Sequence, residues 1–189
     1  MKSLREYILE SVQSERITLK DITELKFYEV SDYSELKKII KESEPDKDNN
    51  KGFWLFSEAL EKDKKAYGNI NKEPWHINYI KCEATYTKDN KKNTNICGLI
   101  SYSLTYWDNE DNKKNKPIDD NIMHIFDIQT ISTFKGLLSK YFEKIKEVAE
   151  SNKCEALTLQ CYKPSLKNVY KKHDFKPVKG QSNLMIKKI

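Results

Sequence analysis

The chain has 189 residues, 38% of them hydrophobic and 33% charged, which suits one domain with a core of ordinary size. Five glycines and five prolines exclude collagen-like or Pro/Gly-rich disorder, and no apolar run reaches the roughly 20 residues that cross a bilayer. The net charge of +5 rests on 32 Lys and only Arg5 and Arg16, so the guanidinium fork that reads guanine edges is nearly missing. Neither a specific nucleic-acid partner nor a membrane is expected.

The charge is uneven: residues 131–189 hold 13 Lys against five acids, while residues 1–130 hold 24 acids against 21 bases. An anionic ligand is therefore expected at the last third of the chain. Cys82, Cys97, Cys154 and Cys161 are too widely spaced for a C-x-x-C motif, and His76, His124 and His173 are scattered. Reduced thiols in a cytoplasmic setting and no metal site are expected.

In chain order, Met1–Ser14 has the pattern of an amphipathic helix, set apart from a single domain over residues 15–189. Leu25–Val30 is strand-like, and Ser31 or Asp32 can cap a helix with Tyr33, Leu36, Ile39 and Ile40 as its stripe. The polar breaker Glu44–Gly52 precedes a second helical stretch, Phe53–Lys65. Trp75–Thr87 and Ile96–Trp107 alternate as half-buried strands, followed by a charged loop over Asp108–Asn121. Ile122–Thr130 is a more apolar strand. Gly136–Asn152 has helical spacing, Ala156–Tyr162 is a strand, Ser165–Lys172 a short helix, and Leu184–Ile189 a closing strand. The fold class is α/β (α+β): a mixed sheet with helices on both faces.

That order, with Gly136 between the central strand and its helix, resembles the GCN5-related N-acetyltransferase fold, most clearly over residues 96–189. The resemblance implies a mostly antiparallel central sheet. In that family an R/Q-x-x-G-x-G/A loop holds the coenzyme A pyrophosphate on backbone N–H groups and a helix N-terminus. The matching stretch, Ile128–Phe142, reads IQTISTFKGLLSKYF, with Gly136 at the first glycine. Thr133 stands where Arg or Gln is usual, and Leu138 where the second small residue is usual. The resemblance makes Ile128, Gln129, Thr130, Thr133, Phe134, Lys135, Gly136, Leu137 and Leu138 the acetyl-CoA-binding candidates. The resemblance further implies that the fourth and fifth strands splay to admit the pantetheine arm, with backbone of Ile128–Thr130 pairing with it, and Lys135 is the favoured phosphate partner.

YKKHDF, Tyr170–Phe175, resembles the family's Y-x-x-x-G-F signature. Tyr170 falls where many members place the acid that reprotonates the coenzyme A thiolate, and Phe175 at a core phenylalanine. Asp174 replaces the turn glycine, a mild change because Asp tolerates left-handed backbone; Lys163 stands where Asn is common. His124 falls where the family's arylalkylamine enzymes place a histidine, a candidate base acting directly or through a water. Strand alternation points Asp127 to the opposite face from His124.

Met1–Glu10, MKSLREYILE, resembles the capsid-targeting peptide of internal head proteins of T-even-type phages, with Ile8-Leu9-Glu10 as the cleavage tripeptide. That likeness implies a phage head or host protein as a partner, and a virion location before delivery to the host cytoplasm.

The leading expectation is therefore an acetyl-CoA-dependent N-acetyltransferase using direct transfer in a ternary complex. Its acceptor would be a primary amine, either a small molecule or a protein lysine or N-terminus. The alternative is a non-catalytic phage protein on the same fold with a decayed cofactor loop, serving as virion cargo or host-factor binder. A lysine-driven nucleic-acid binder is a third alternative.

Overall fold

The computed structural model describes residues 16–30, 33–42, 77–104, 121–131, 134–161, 163–181 and 183–189. The expected helices Met1–Ser14 and Phe53–Lys65, the Glu44–Gly52 breaker and nearly all of the Asp108–Asn121 loop lie outside these residues. So does the stretch that resembles a phage targeting peptide. The described elements are β1 (Ile17–Thr18), β2 (Ile22–Glu29), α1 (Tyr33–Glu42), β3 (Asn78–Lys88), β4 (Lys91–Ser103) and β5 (Ile122–Thr130). They continue with β6 (Phe134–Lys135), α2 (Leu138–Ser151), β7 (Ala156–Gln160), α3 (Pro164–Lys171), β8 (Lys176–Pro177) and β9 (Leu184–Lys188). Seven strands form one sheet in the order β2-β3-β4-β5-β7-β9-β8, while β1 and β6 form a separate two-stranded sheet. The large sheet is mostly antiparallel, with β5 and β7 parallel.

Two compact units can be distinguished, each discontinuous in sequence. One comprises Met1–Ala59, Lys81–Leu99 and Gln129–Leu137; the other comprises Leu60–Ile80, Ile100–Ile128 and Leu138–Ile189.

In the first unit, β3 and β4 are joined by Asp89 and Asn90, whose φ angles of 51° and 59° make a two-residue turn of the left-handed kind that suits a twisted hairpin. Asp and Asn adopt that backbone at little cost. The turn sets Thr85 opposite Thr94, with their hydroxyls 3.0 Å apart. By the same register Cys82 faces Cys97, whose thiol donates to the Cys82 carbonyl at 3.3 Å. This hairpin starts β4 at Lys91, five residues before the expected Ile96. The polar stretch Lys91–Asn95 has no apolar alternation and is a strand because the turn pairs it. Leu36, Ile39 and Ile40 of α1 are buried, as their spacing predicts.

In the second unit, α2 packs on β7 and buries Tyr141, Phe142, Ile145, Val148 and Ala149. Its outer side carries the ion pairs Lys140–Glu143, Lys144–Glu147 and Lys146–Glu150 at i,i+3 and i,i+4 spacing. Such exposed pairs contribute about 0.2–0.5 kcal/mol each, so the apolar face holds the helix in place. Pro164 begins α3, where its missing N–H costs nothing. After α3 the chain turns at Asp174, φ 68°, and buries Phe175. Asp174 thus holds the left-handed backbone expected where the resemblance places glycine.

Candidate functional site

The parallel ladder between β5 and β7 runs from Ile122–Ala156 to Ile125–Leu159 and ends there, although β5 continues to Thr130. Beyond Leu159, β7 stays with β9: Gln160 pairs with Leu184, and the Cys161 N–H donates to the Asn183 carbonyl at 2.7 Å. The parallel pairing of β5 and β7 thus covers Ile122–Ile125 and Ala156–Leu159, while β7 keeps its antiparallel partner to its last residue.

Alternation along these strands sorts the side chains near the fork. Met123 and Ile125 share a face with their register partners Leu157 and Leu159, and Asp127 and Cys161 fall on that same face. His124 and Phe126 lie on the other, with Thr158 opposite His124.

Tyr170 belongs with the first face. Its ring packs edge-on against Phe142 and Phe175, both at 6.3 Å between centroids, so two buried aromatics fix its orientation on α3. The phenol is half-buried. Burial raises its pKa above the ordinary tyrosine value, and the electrostatic fields of Cys161 and Asp127 add to that rise. At neutral pH it is an un-ionised O–H donor near the end of the β5/β7 ladder.

His124 is in a different state. It is 2% exposed, its Nδ1 lies 2.9 Å from the Thr158 hydroxyl, and its ring meets Phe126 edge-on at 4.8 Å. Burial pushes its pKa down to about 4, so the imidazole is neutral across the physiological range.

The segment expected to hold the pyrophosphate divides differently. In the first unit Gln129, Ile131, Phe134 and Leu137 are buried, whereas Lys135 is exposed. Thr133 lies outside the described residues. Gly136 has φ +78°, and a Cβ there would meet nothing within 4 Å. Its requirement for glycine is therefore conformational, set by left-handed backbone and not by crowding. In the second unit Leu138 opens α2, half-buried, and the first turn of that helix carries no acid. The helix starts two residues later than the expected Gly136, because the positive φ at that glycine cannot be continued into a right-handed helix.

The end of the β5/β7 ladder after Ile125 and Leu159 lies where the resemblance implies that two strands splay. Two features of the site were missed in the sequence. One is the proximity of Asp127 and Cys161 to Tyr170, at which only the odd spacing of Asp127 from His124 hinted. The other is the pairing of β6 with β1, in the register Ile17–Phe134 and Thr18–Lys135. Among the described residues no group of His, Cys, Asp or Glu is arranged to hold a metal, and no helix is long and apolar enough to cross a membrane.

No family model matches the chain, and no curated protein matches it. Solved structures do. A tyrosine-to-phenylalanine mutant of the toxin AtaT, bound to the C-terminus of its antitoxin AtaR, superposes with a TM-score of 0.50 at 12% identity, covering 87% of this chain and 92% of that one. A putative phosphinothricin N-acetyltransferase gives 0.50 at 14% identity, covering 88% and 99%. GCN5 of Tetrahymena gives 0.48 at 15% identity, covering 87% and 96%. The chain has the fold of the GCN5-related N-acetyltransferases.

Proposed function

We propose that this chain is an acetyl-CoA-dependent N-acetyltransferase that transfers the acetyl group directly to a primary amine. The observation that carries the reading is the fork after Ile125 and Leu159, with an un-ionised Tyr170 held near its end. A sheet that opens between two parallel strands offers β5 backbone to an extended amide-containing chain, and Ile128–Thr130 are the residues assigned to pair with it. The residues further along fit an anionic cofactor. Lys135 is exposed, Gly136 supplies the left-handed turn, and α2 begins with no acid in its first turn. Thr133, Phe134, Leu137 and Leu138 complete the assigned binding segment.

Acetyl-CoA, as the acyl donor, supplies an activated thioester. The protein's part is to place an amine beside it and to return a proton to the leaving sulfur. The amine's own proton passes to water, because His124, the histidine that the resemblance marks as base, is 2% exposed on the face of β5 opposite Tyr170. Tyr170 donates its phenolic proton to the departing sulfur, and its raised pKa keeps that proton available through neutral and mildly alkaline pH. The greater acid content of residues 1–130 favours a cationic acceptor.

The test is calorimetry with acetyl-CoA on the wild type and on Gly136→Trp, which forces a bulky residue into left-handed backbone. Micromolar binding lost in the variant supports the reading. No binding at millimolar cofactor sinks it.

A further inference from the structure

We propose that β1 is a splint for the cofactor loop, and that Asp21 is the residue that locks the splint in place. The inference rests on the assignment of Phe134–Leu138 to the coenzyme A pyrophosphate.

Phe134 and Lys135 immediately precede the left-handed Gly136, so their placement sets where the N–H groups of Gly136 and Leu137 point. On one side the stretch leading to them is fastened to the large sheet. The Ile131 N–H donates to the Cys97 carbonyl, and the Phe134 N–H donates to the Ile131 carbonyl, both at 2.9 Å. On the other side lies β1, parallel and in register, with Ile17 opposite Phe134 and Thr18 opposite Lys135. Ile17 and Phe134 are both buried, and Tyr86 packs edge-on against Phe134 at 5.7 Å.

A two-residue ladder between segments more than a hundred positions apart has too few hydrogen bonds to order itself against chain entropy. Something must hold β1 in place beforehand. Asp21 does this: its Oδ2 accepts both the Thr18 N–H and the Thr18 hydroxyl at 2.7 Å, and its own N–H donates to the Thr18 carbonyl at 2.9 Å. The same hydrogen bonds hold the Asp21 carboxyl below the usual carboxylate range. Three bonds between two residues close the turn that leads from β1 into β2. That turn makes the register of β1 a property of the sheet edge. Asp21 is thus a positioning residue for a loop that it does not touch. By linkage, a cofactor held on the loop must in turn stabilise β1.

The experiment compares wild type and Asp21→Ala, as full chains, by acetyl-CoA calorimetry, saturated turnover and amide hydrogen exchange. The expected result is an affinity about tenfold weaker with saturated turnover within about twofold, a split that general destabilisation would not give. Amides of Phe134–Gly136 should exchange faster in the variant while those of α3 stay unchanged, and acetyl-CoA should slow exchange at Ile17–Leu19 in the wild type. If Asp21→Ala does not fold, Thr18→Val removes only the hydroxyl bond and should move each quantity in the same direction by less. Unchanged affinity, together with β1 amides that exchange alike with and without cofactor, overturns the splint. Failure of the wild type to bind acetyl-CoA removes the acetyltransferase reading instead. Exchange at Phe134–Gly136 then still decides the splint: faster exchange in Asp21→Ala supports it and equal exchange rejects it.

Discussion

The two faces of β5 treat their titratable residues in opposite ways. On one face His124 is almost wholly buried, with Thr158 beside its Nδ1 and Phe126 against its ring, and its pKa is pushed down to about 4. On the other, the half-buried Tyr170 phenol shares its surroundings with Asp127 and Cys161, and its pKa is raised. Burial favours the neutral form of both groups, yet the consequences differ. A neutral imidazole has lost most of its strength as a base, whereas a neutral phenol has kept the proton that an acid must deliver. A single cause, desolvation, therefore makes His124 a poor base and keeps Tyr170 a competent acid. The difference also predicts which substitution hurts more.

Tyr170→Phe should have the largest effect. Turnover should fall by about 10²–10⁴-fold, with acetyl-CoA affinity within about threefold of wild type because the ring still packs on Phe142 and Phe175. Thiol release with a pool of primary amines measures it. His124→Gln should cost far less, within about tenfold, because a buried imidazole with a pKa of about 4 contributes little as a base.

The same residue makes a second prediction, in stability. Between its ordinary value of 6.5 and the folded value of about 4, the unfolded chain binds a proton that the folded chain refuses. Stability should therefore drop as pH falls across that window, by about 3 kcal/mol over the whole of it. His124→Gln should flatten that part of the profile in urea unfolding at stepped pH. A variant that flattens the profile while keeping full turnover would make His124 a packing residue alone and sharpen the contrast with Tyr170. Smaller again is Thr158→Val, which takes the hydroxyl from beside a buried ring nitrogen. It should cost about 1–3 kcal/mol in thermal or urea unfolding and leave Tyr170 chemistry untouched. The smallest effect belongs to Lys144→Ala on the outer side of α2, within about 0.5 kcal/mol by the same measurement.

What could be read in the sequence was whatever depends on local pattern. Ile122–Thr130 is a strand with the expected bounds, α2 buries the expected stripe, and the left-handed Asp174 followed by buried Phe175 was foreseen from the YKKHDF stretch. Elements that depend on a distant partner could not be read. Ile17–Thr18 is too short to show a period, and it is a strand only because Phe134–Lys135 lies alongside. The burial of His124 rests on Thr158, 34 positions away. The end of the β5/β7 ladder, with β7 staying on β9, is shown by no local pattern and was expected only from the family resemblance.

In the proposed reaction the acyl thioester lies at the end of the β5/β7 ladder, beside Tyr170. Crystals of the protein soaked with acetyl-CoA would show whether it does. The expected electron density has the pantetheine arm alongside Ile128–Thr130, the pyrophosphate at Gly136–Leu138, and the thioester sulfur within hydrogen-bonding reach of the Tyr170 hydroxyl. Cofactor bound elsewhere, or bound there with Tyr170 turned away from the sulfur, overturns the proposal.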